Sequence, residues 1–241
     1  MIEFIQQLNW VAVGQIVLID VLLGGDNAIL IAMACRNLSP ELRLKGILWG
    51  TAGAIIIRII LITFAVTLLQ VPFLKLIGGA VLIWIGIKLL LDDSDSHGDV
   101  AASSRLSGAI KTIIIADLVM SIDNVMAIAS AAERAGGDHQ FALVVLGILI
   151  SIPVVVWGST LVLALIERFS FIITLGAGLL GYLGGAMMVS DPTLTDRLAA
   201  ALPSKLLHFS AVGTDISVAG LFAGIIVIVL GFGLSRRKPA G

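Results

Sequence analysis

Apolar residues run along this chain in blocks of about twenty, separated by short polar stretches. A bilayer core about 30 Å thick takes roughly 20 apolar residues in helical form. Seven blocks meet that length: Val11–Cys35, Gly46–Leu69, Val71–Leu91, Thr112–Ala132, Phe141–Ile166, Phe171–Val189 and Ile216–Leu234. Together they nearly fill the chain and leave no room for a separate soluble domain. The pattern predicts an all-α polytopic membrane protein with seven transmembrane helices. Met1–Asn9 carries Glu3 and no basic residue, unlike the positive start of a cleavable signal, so the first span is expected to be retained.

Composition agrees with the pattern. The chain is 59% hydrophobic and 13% charged, against about 45–50% and 25% in soluble domains. An ordinary soluble enzyme, a disordered chain and a disulfide-rich secreted scaffold are excluded. Fifteen basic against sixteen acidic residues give a net charge of −1 with no basic stripe, so no nucleic-acid partner is expected. Cys35 is the single cysteine and permits no internal disulfide.

The basic residues orient the spans. With the N-terminus outside, Arg36, Arg43, Lys45, Lys88, Arg105, Lys111, Arg168, Arg236, Arg237 and Lys238 face the cytoplasm. Lys75, Arg134, Arg197 and Lys205 face out, and Arg58 is intramembrane. Ten against four predicts N-out, C-in. Two longer connections remain. Asp92–Ser104 is polar and reads as part of a cytoplasmic linker, placed at 92–109. Ser190–Thr214 reads either as an outer loop or as one carrying a short interfacial helix. It leads, within 190–241, to the seventh span and a basic tail.

The two halves resemble each other. A shift of 97 lays QIVLIDVLLGGDNAILIAMA (Gln15–Ala34) over TIIIADLVMSIDNVMAIASA (Thr112–Ala131), matching Asp20 with Asp117, Asp26 with Asp123 and Asn27 with Asn124. The same shift lays Gly50 over Gly147, and a shift of 98 lays Ile77–Gly86 over Leu175–Gly184. Each repeat, 10–91 and 110–189, holds three spans. An odd number makes the second copy enter the membrane from the opposite side. The expected plan is two inverted three-helix repeats plus a seventh helix, an architecture of secondary transporters that bind cargo near the midplane.

Asp20, Asp26, Asp117 and Asp123 all lie inside predicted spans. At about 2.5–3.5 kcal/mol each on insertion scales, four cost roughly 10–14 kcal/mol. Arg58 can neutralise one carboxylate, or two in part, and so leaves negative charge over. At 100° per residue Asp20 shares a face with Asn27, and Asp117 with Asn124, whereas Asp26 and Asp123 lie about 120° off it. Convergence needs a break, which Gly24-Gly25 would supply in the first copy; Ser121 is the corresponding small polar residue in the second.

Carboxylate and amide oxygens are hard ligands suited to Mg²⁺, Ca²⁺ or Mn²⁺. The expected metal set is Asp20, Asp26, Asn27, Asp117, Asp123 and Asn124, with Arg58 as gate or charge partner. His97, His139 and His208 fall in loops, so zinc is poorly supplied. Met33, Met120 and Met126 lie near the carboxylates as packing residues or soft ligands. Asp215 reads as a helix N-cap rather than a ligand. Gly50-x-x-Gly53 and Gly181-x-x-Gly184-Gly185 read as packing surfaces. The four tryptophans, mostly toward span ends, read as interface anchors. No glycine loop with a lysine supports ATP as energy source.

Asp20–Ala28 (D-x-x-x-G-G-D-N-A) and Asp117–Val125 (D-x-x-x-S-I-D-N-V) resemble the paired motif of the TerC integral membrane proteins, which are similar in architecture to lysine-exporter-type carriers. Asp20 stands where that family often has Glu. The resemblance covers nearly the whole chain and implies manganese export from the bacterial cytoplasm across the plasma membrane, with the acidic residues carrying the ion. The cation would be substrate, with no permanently bound cofactor, and proton return on the emptied carboxylates is physically natural. An alternative is a metal-binding membrane subunit of a larger stress-resistance or metalation complex. A remoter one is an intramembrane aspartyl protease, against which stands Leu23 in place of the first glycine of G-x-G-D.

Overall fold

The computed structural model describes residues 10–64, 71–91, 102–135, 140–195, 208–211 and 214–235; several side chains in these ranges, including those of Asp123 and of 125–135, lie outside the description. The described elements run α1 (Trp10–Leu23), α2 (Gly25–Cys35), α3 (Pro40–Thr63), α4 (Leu74–Leu91), α5 (Ala102–Ala135), α6 (Gln140–Arg168), α7 (Phe171–Val189), β1 (His208–Ala211), β2 (Thr214–Ser217) and α8 (Val218–Ser235). The described residues are thus almost entirely helical. Among the described residues four helices, α3, α4, α6 and α7, are each long and apolar enough to cross a membrane, and α1 with α2 make a fifth when the bent pair counts as one span. Among the described residues, bulky apolar side chains such as Leu48, Ile56, Leu161, Phe222 and Val229 face outward, as lipid contact requires.

Several boundaries differ from the hydropathy reading, each for a local reason. α3 starts at Pro40, six residues before the predicted span, because Ser39-Pro40-Glu41 places proline in the first turn, where its missing N–H costs nothing. α5 starts at Ala102, inside the stretch read as linker, since its amphipathic first turns continue without a breaker into the apolar run. The rest of that linker, His97, His139 and the basic tail lie outside the described residues. Asp215 does not cap a helix: it pairs with Ser210 in an antiparallel hairpin of β1 and β2. Ser217 is the N-cap, its Oγ accepting a hydrogen bond from Gly220 N at 3.2 Å. Of the stretch 190–214, the description shows one helical turn at 192–195 and the hairpin's first strand. The tryptophans do face outward, but Trp49, Trp84 and Trp157 sit well within their helices rather than at their ends.

Packing pairs helices across the halves. α3 lies along α5, α1 and α2 lie along α6, α4 lies along α7, and α8 covers α7 and α4. Small residues set the close approaches. A Cβ on Gly50 would stand 2.5 Å from Ile113 Cδ1, and one on Gly147 2.5 Å from Ile16 Cγ2. Gly79 and Gly184 press each other's backbones so tightly that a Cβ on either would strike the other's carbonyl oxygen. Gly86 faces Ala177 O less tightly, a Cβ there standing 3.1 Å from that oxygen. The largest apolar core joins α2, α4, α5 and α7, with Met33 and Met120 inside it. Met33 packs against the bare face of Gly176, which accounts for it as packing.

Candidate cation-binding site

The break in the first span is where the glycine pair places it. α1 ends at Leu23, α2 begins at Gly25, and the two axes meet at 48°. Gly24 N donates to Asp20 O at 2.7 Å, and a Cβ at Gly24 would lie 2.6 Å from that same oxygen. The turn therefore favours glycine there. Asp26, half-buried in the first turn of α2, accepts from Asn27 N at 2.8 Å. The second copy is different: α5 runs unbroken through Asp117, Ser121 and Asp123. Ser121 spends its hydroxyl on Asp117 Oδ2 at 3.1 Å and takes no part in a bend.

Arg58, from α3, reaches between the halves. Its Nη1 donates to Asp20 Oδ1 at 2.5 Å and its Nη2 to Asp117 Oδ1 at 2.6 Å, while Nε donates to Ser121 Oγ at 3.1 Å. All three charged groups are at most 5% exposed. Such a fork matches the geometry of a guanidinium, which can serve two carboxylates at once. Ser151, from α6, donates to Asp20 Oδ2. One positive and two negative charges leave this buried group at −1.

Beside the fork lies a cavity of about 20 Å³, lined by Asp20, Asn27, Thr51, Arg58, Asp117 and Ser151 among apolar neighbours from α2, α3 and α6. That is room for about one water-sized particle. Its lining repeats. The shift of 97 pairs Asp20 with Asp117, Thr51 with Ile148, Ala54 with Ser151, Ile55 with Ile152 and Arg58 with Val155, and all ten residues line the cavity. Asn27 Oδ1 and Thr51 Oγ1, both buried, have no hydrogen-bond partner among the described residues.

The chain matches the family model of the integral membrane protein TerC family over residues 5–238. It belongs to that family. It is also similar to an uncharacterized membrane protein, YjbE of Bacillus subtilis (strain 168), 44% identical over 180 residues, which are 75% of this chain and 80% of that protein. YkoY of the same organism is 23% identical over 91% of this chain and 71% of its own length. The inner membrane protein YgdQ of Escherichia coli (strain K12) is 26% identical over 66% of this chain and 72% of its own. No solved structure matches the chain. TerC membership and the apolar helices together make this a multi-pass integral membrane protein.

Within this TerC chain, the structure brings together Asp20, Asn27, Asp117 and Arg58 of the expected site. Asp26 and Asn124 are half-buried and do not line the cavity, and the Asp123 side chain lies outside the described residues. Among the described residues no three His, Cys, Asp or Glu side chains form a ready cluster. Two carboxylates come instead with amide and hydroxyl oxygens. Sequence reasoning missed Ser151 and Thr51, although the shift of 97 marks them: each is a hydroxyl where the other repeat has an apolar residue. It also missed Asp191, buried at the end of α7, which accepts from Leu76 N at 3.2 Å and Thr193 N at 2.9 Å and so caps α4. Burial alone would push this carboxyl up, but the hydrogen bonds from Thr193, Leu76 and Lys75 outweigh it and hold it below the usual carboxylate range.

Proposed function

We propose that this TerC protein is a secondary exporter of a divalent metal cation, Mn²⁺ foremost, with the cavity between the halves as its cargo site. The observation that carries the reading is the cavity's lining in repeat-related pairs around Asp20 and Asp117. A site made of matching elements from two inverted three-helix units is one that rocking of the units can open to either side. The contacts support the same symmetry. The shift of 97 exchanges Gly50–Ile113 with Gly147–Ile16, and the shift of 98 exchanges Gly79–Gly184 with Gly86–Ala177. Seven spans follow from three plus three plus α8, with α5 and α8 as the fourth and seventh.

The excess of basic residues in one set of loops supports an N-terminus outside and a C-terminus in the cytoplasm of a bacterial cell. Cargo enters from the cytoplasm, gives up water to oxygens of Asp20, Asn27 and Asp117, and displaces Arg58 from their carboxylates. Asp26, Asp123 and Asn124 serve the ion on its path. After release outward, Arg58 returns, or protons do, so that the emptied acids are never left bare. Proton antiport follows from the second route. Hard oxygen donors without imidazole or thiolate fit Mn²⁺, Mg²⁺ or Ca²⁺ rather than zinc.

The test is Mn²⁺ uptake into inside-out vesicles under an imposed pH gradient, wild type beside Asp117→Asn and Asp123→Asn at matched abundance. Uptake in wild type alone, lost when the gradient is collapsed, is the expected result. Silence with Mn²⁺, Mg²⁺ and Ca²⁺ alike would overturn export and favour a metal-binding membrane subunit of a larger complex. The fork of Arg58 on both acids is the observation behind that second reading, since it is also how a static site would be neutralised.

A further inference from the structure

Buried hydroxyls in the helices of this protein follow a habit. Among the described residues Ser159 donates to Val155 O at 2.7 Å, Ser121 to Asp117 Oδ2 at 3.1 Å and Ser151 to Asp20 Oδ2, so that each finds a partner. Thr51 breaks the habit. It is 4% exposed, lines the cavity, and has no partner among the described residues. A buried polar group left unpaired costs about 1–3 kcal/mol, so a hydroxyl at this place has a use. Asn27 Oδ1, from α2, is the other unpaired buried oxygen lining this cavity among the described residues.

Three facts say what the pair is for. Threonine stands where the other repeat has Ile148, so the cavity tolerates an apolar residue of similar shape at the matching position. Its neighbour Gly50 holds α3 against Ile113, so the position of Thr51 is set by helix packing and not by a hydrogen bond. The charged groups beside it sum to −1, which repels an anion and attracts a cation. We propose that Thr51 Oγ1 and Asn27 Oδ1 form a neutral oxygen subsite that receives the cargo cation while Arg58 still bridges Asp20 and Asp117. The inference rests on the cation-cargo reading above. Neutral donors accept the ion at the fork's edge without first breaking both ion pairs, and Thr51 is the donor α3 adds to the motif residues. A cavity this small admits an ion only after most of its water is shed, so each lost donor is felt in affinity.

The experiment compares Thr51→Val, which keeps the shape and removes the hydroxyl, with Thr51→Ser, which keeps the hydroxyl. Purified protein is unfolded thermally in rising MnCl2, and vesicle uptake is measured in parallel. Thr51→Val is expected to melt at or above wild type without metal, since it removes an unpaired buried hydroxyl, while its MnCl2 midpoint rises about tenfold or more and its KM for uptake rises with it. Thr51→Ser is expected to stay within about threefold. Should Thr51→Val fail to fold, Thr51→Ala carries the same expectation. A Thr51→Val midpoint equal to wild type overturns the inference. So does a lower metal-free melting temperature with an unchanged midpoint, the mark of a structural water. A wild type that Mn²⁺ stabilises but that moves no ion overturns export alone and leaves the subsite testable by its midpoint. A wild type that no divalent ion stabilises overturns the cation reading and the subsite together.

Discussion

Replacing Arg58 by methionine, which keeps the length and removes the charge, puts the centre of this structure under its most direct strain. At a charge separation near 4 Å and an effective dielectric of about 20, each ion pair is worth roughly 4 kcal/mol before desolvation. Arg58 makes two, at 2.5 and 2.6 Å, to carboxylates that are almost wholly buried. Burial of three charges takes back much of that gain, but removing one partner of a buried pair still costs about 3–5 kcal/mol, because the remaining charge is left uncompensated. At about 2–4 °C per kcal/mol for a chain of this size, the melting temperature of Arg58→Met should fall by about 6–20 °C. Dye-monitored unfolding in detergent reads this directly. The sharper test is the cycle: Asp20→Asn and Asp117→Asn, added to Arg58→Met, should restore a large part of the loss, since no bare charge then remains. Mn²⁺ should also stabilise Arg58→Met more than wild type, the ion having no guanidinium to displace. A single variant within about 2 °C of wild type, with the triple variant no better, would refute the account.

The repeat-related glycine contacts make a paired prediction. Gly50→Ala meets the flexible tip of Ile113 and should be rescued by Ile113→Val, whereas Gly147→Ala meets the branched Cγ2 of Ile16 and should not be rescued by Ile16→Val; thermal unfolding checks both. Gly184→Ala drives a methyl into the backbone of Gly79 and should abolish the folded, monodisperse protein, while Gly108→Ala, with open space around it, should be neutral or stabilising by about 0.5–1 kcal/mol. Asp191→Asn should lower the melting temperature at pH 7. The folded carboxyl titrates below its ordinary value, so its stabilisation is present above about pH 4 and lost as pH falls through the folded value. The gap between Asp191→Asn and wild type should therefore close in acid.

What could be read from the sequence followed the strength of the local signal. The membrane class, the helical blocks and the matching of Asp20 with Asp117 rest on long apolar runs and on acids that such runs do not ordinarily contain, and the cavity sits between those two acids. The Gly24 break was legible because two adjacent glycines weaken any helix, but Ser121 is no breaker and α5 continues unbroken through it. Arg58 was visible as an intramembrane cation, though that it holds both acids depends on how α3 packs against α5, which no local pattern encodes. The hairpin 208–217 and the cap made by Asp191 escaped for the same reason: each is defined by partners distant in sequence or by a few residues of mixed propensity. Thr51 and Ser151 look like ordinary small polar residues of a membrane helix until the cavity is seen.

Arg58 also bears on how such a molecule can come to exist. Its counterpart across the repeat is Val155. On the inverted-repeat reading proposed above, a three-helix ancestor pairing with an upside-down copy of itself offers the same residue twice at this place. Two arginines would set two cations against two acids with no charge left for cargo; two valines would leave both acids bare. Only after duplication can one copy change without the other, so that a single guanidinium stands between two carboxylates. On that reading duplication is the precondition for an odd number of charges at the centre of an otherwise paired design, and one continuous chain keeps the two unlike halves together.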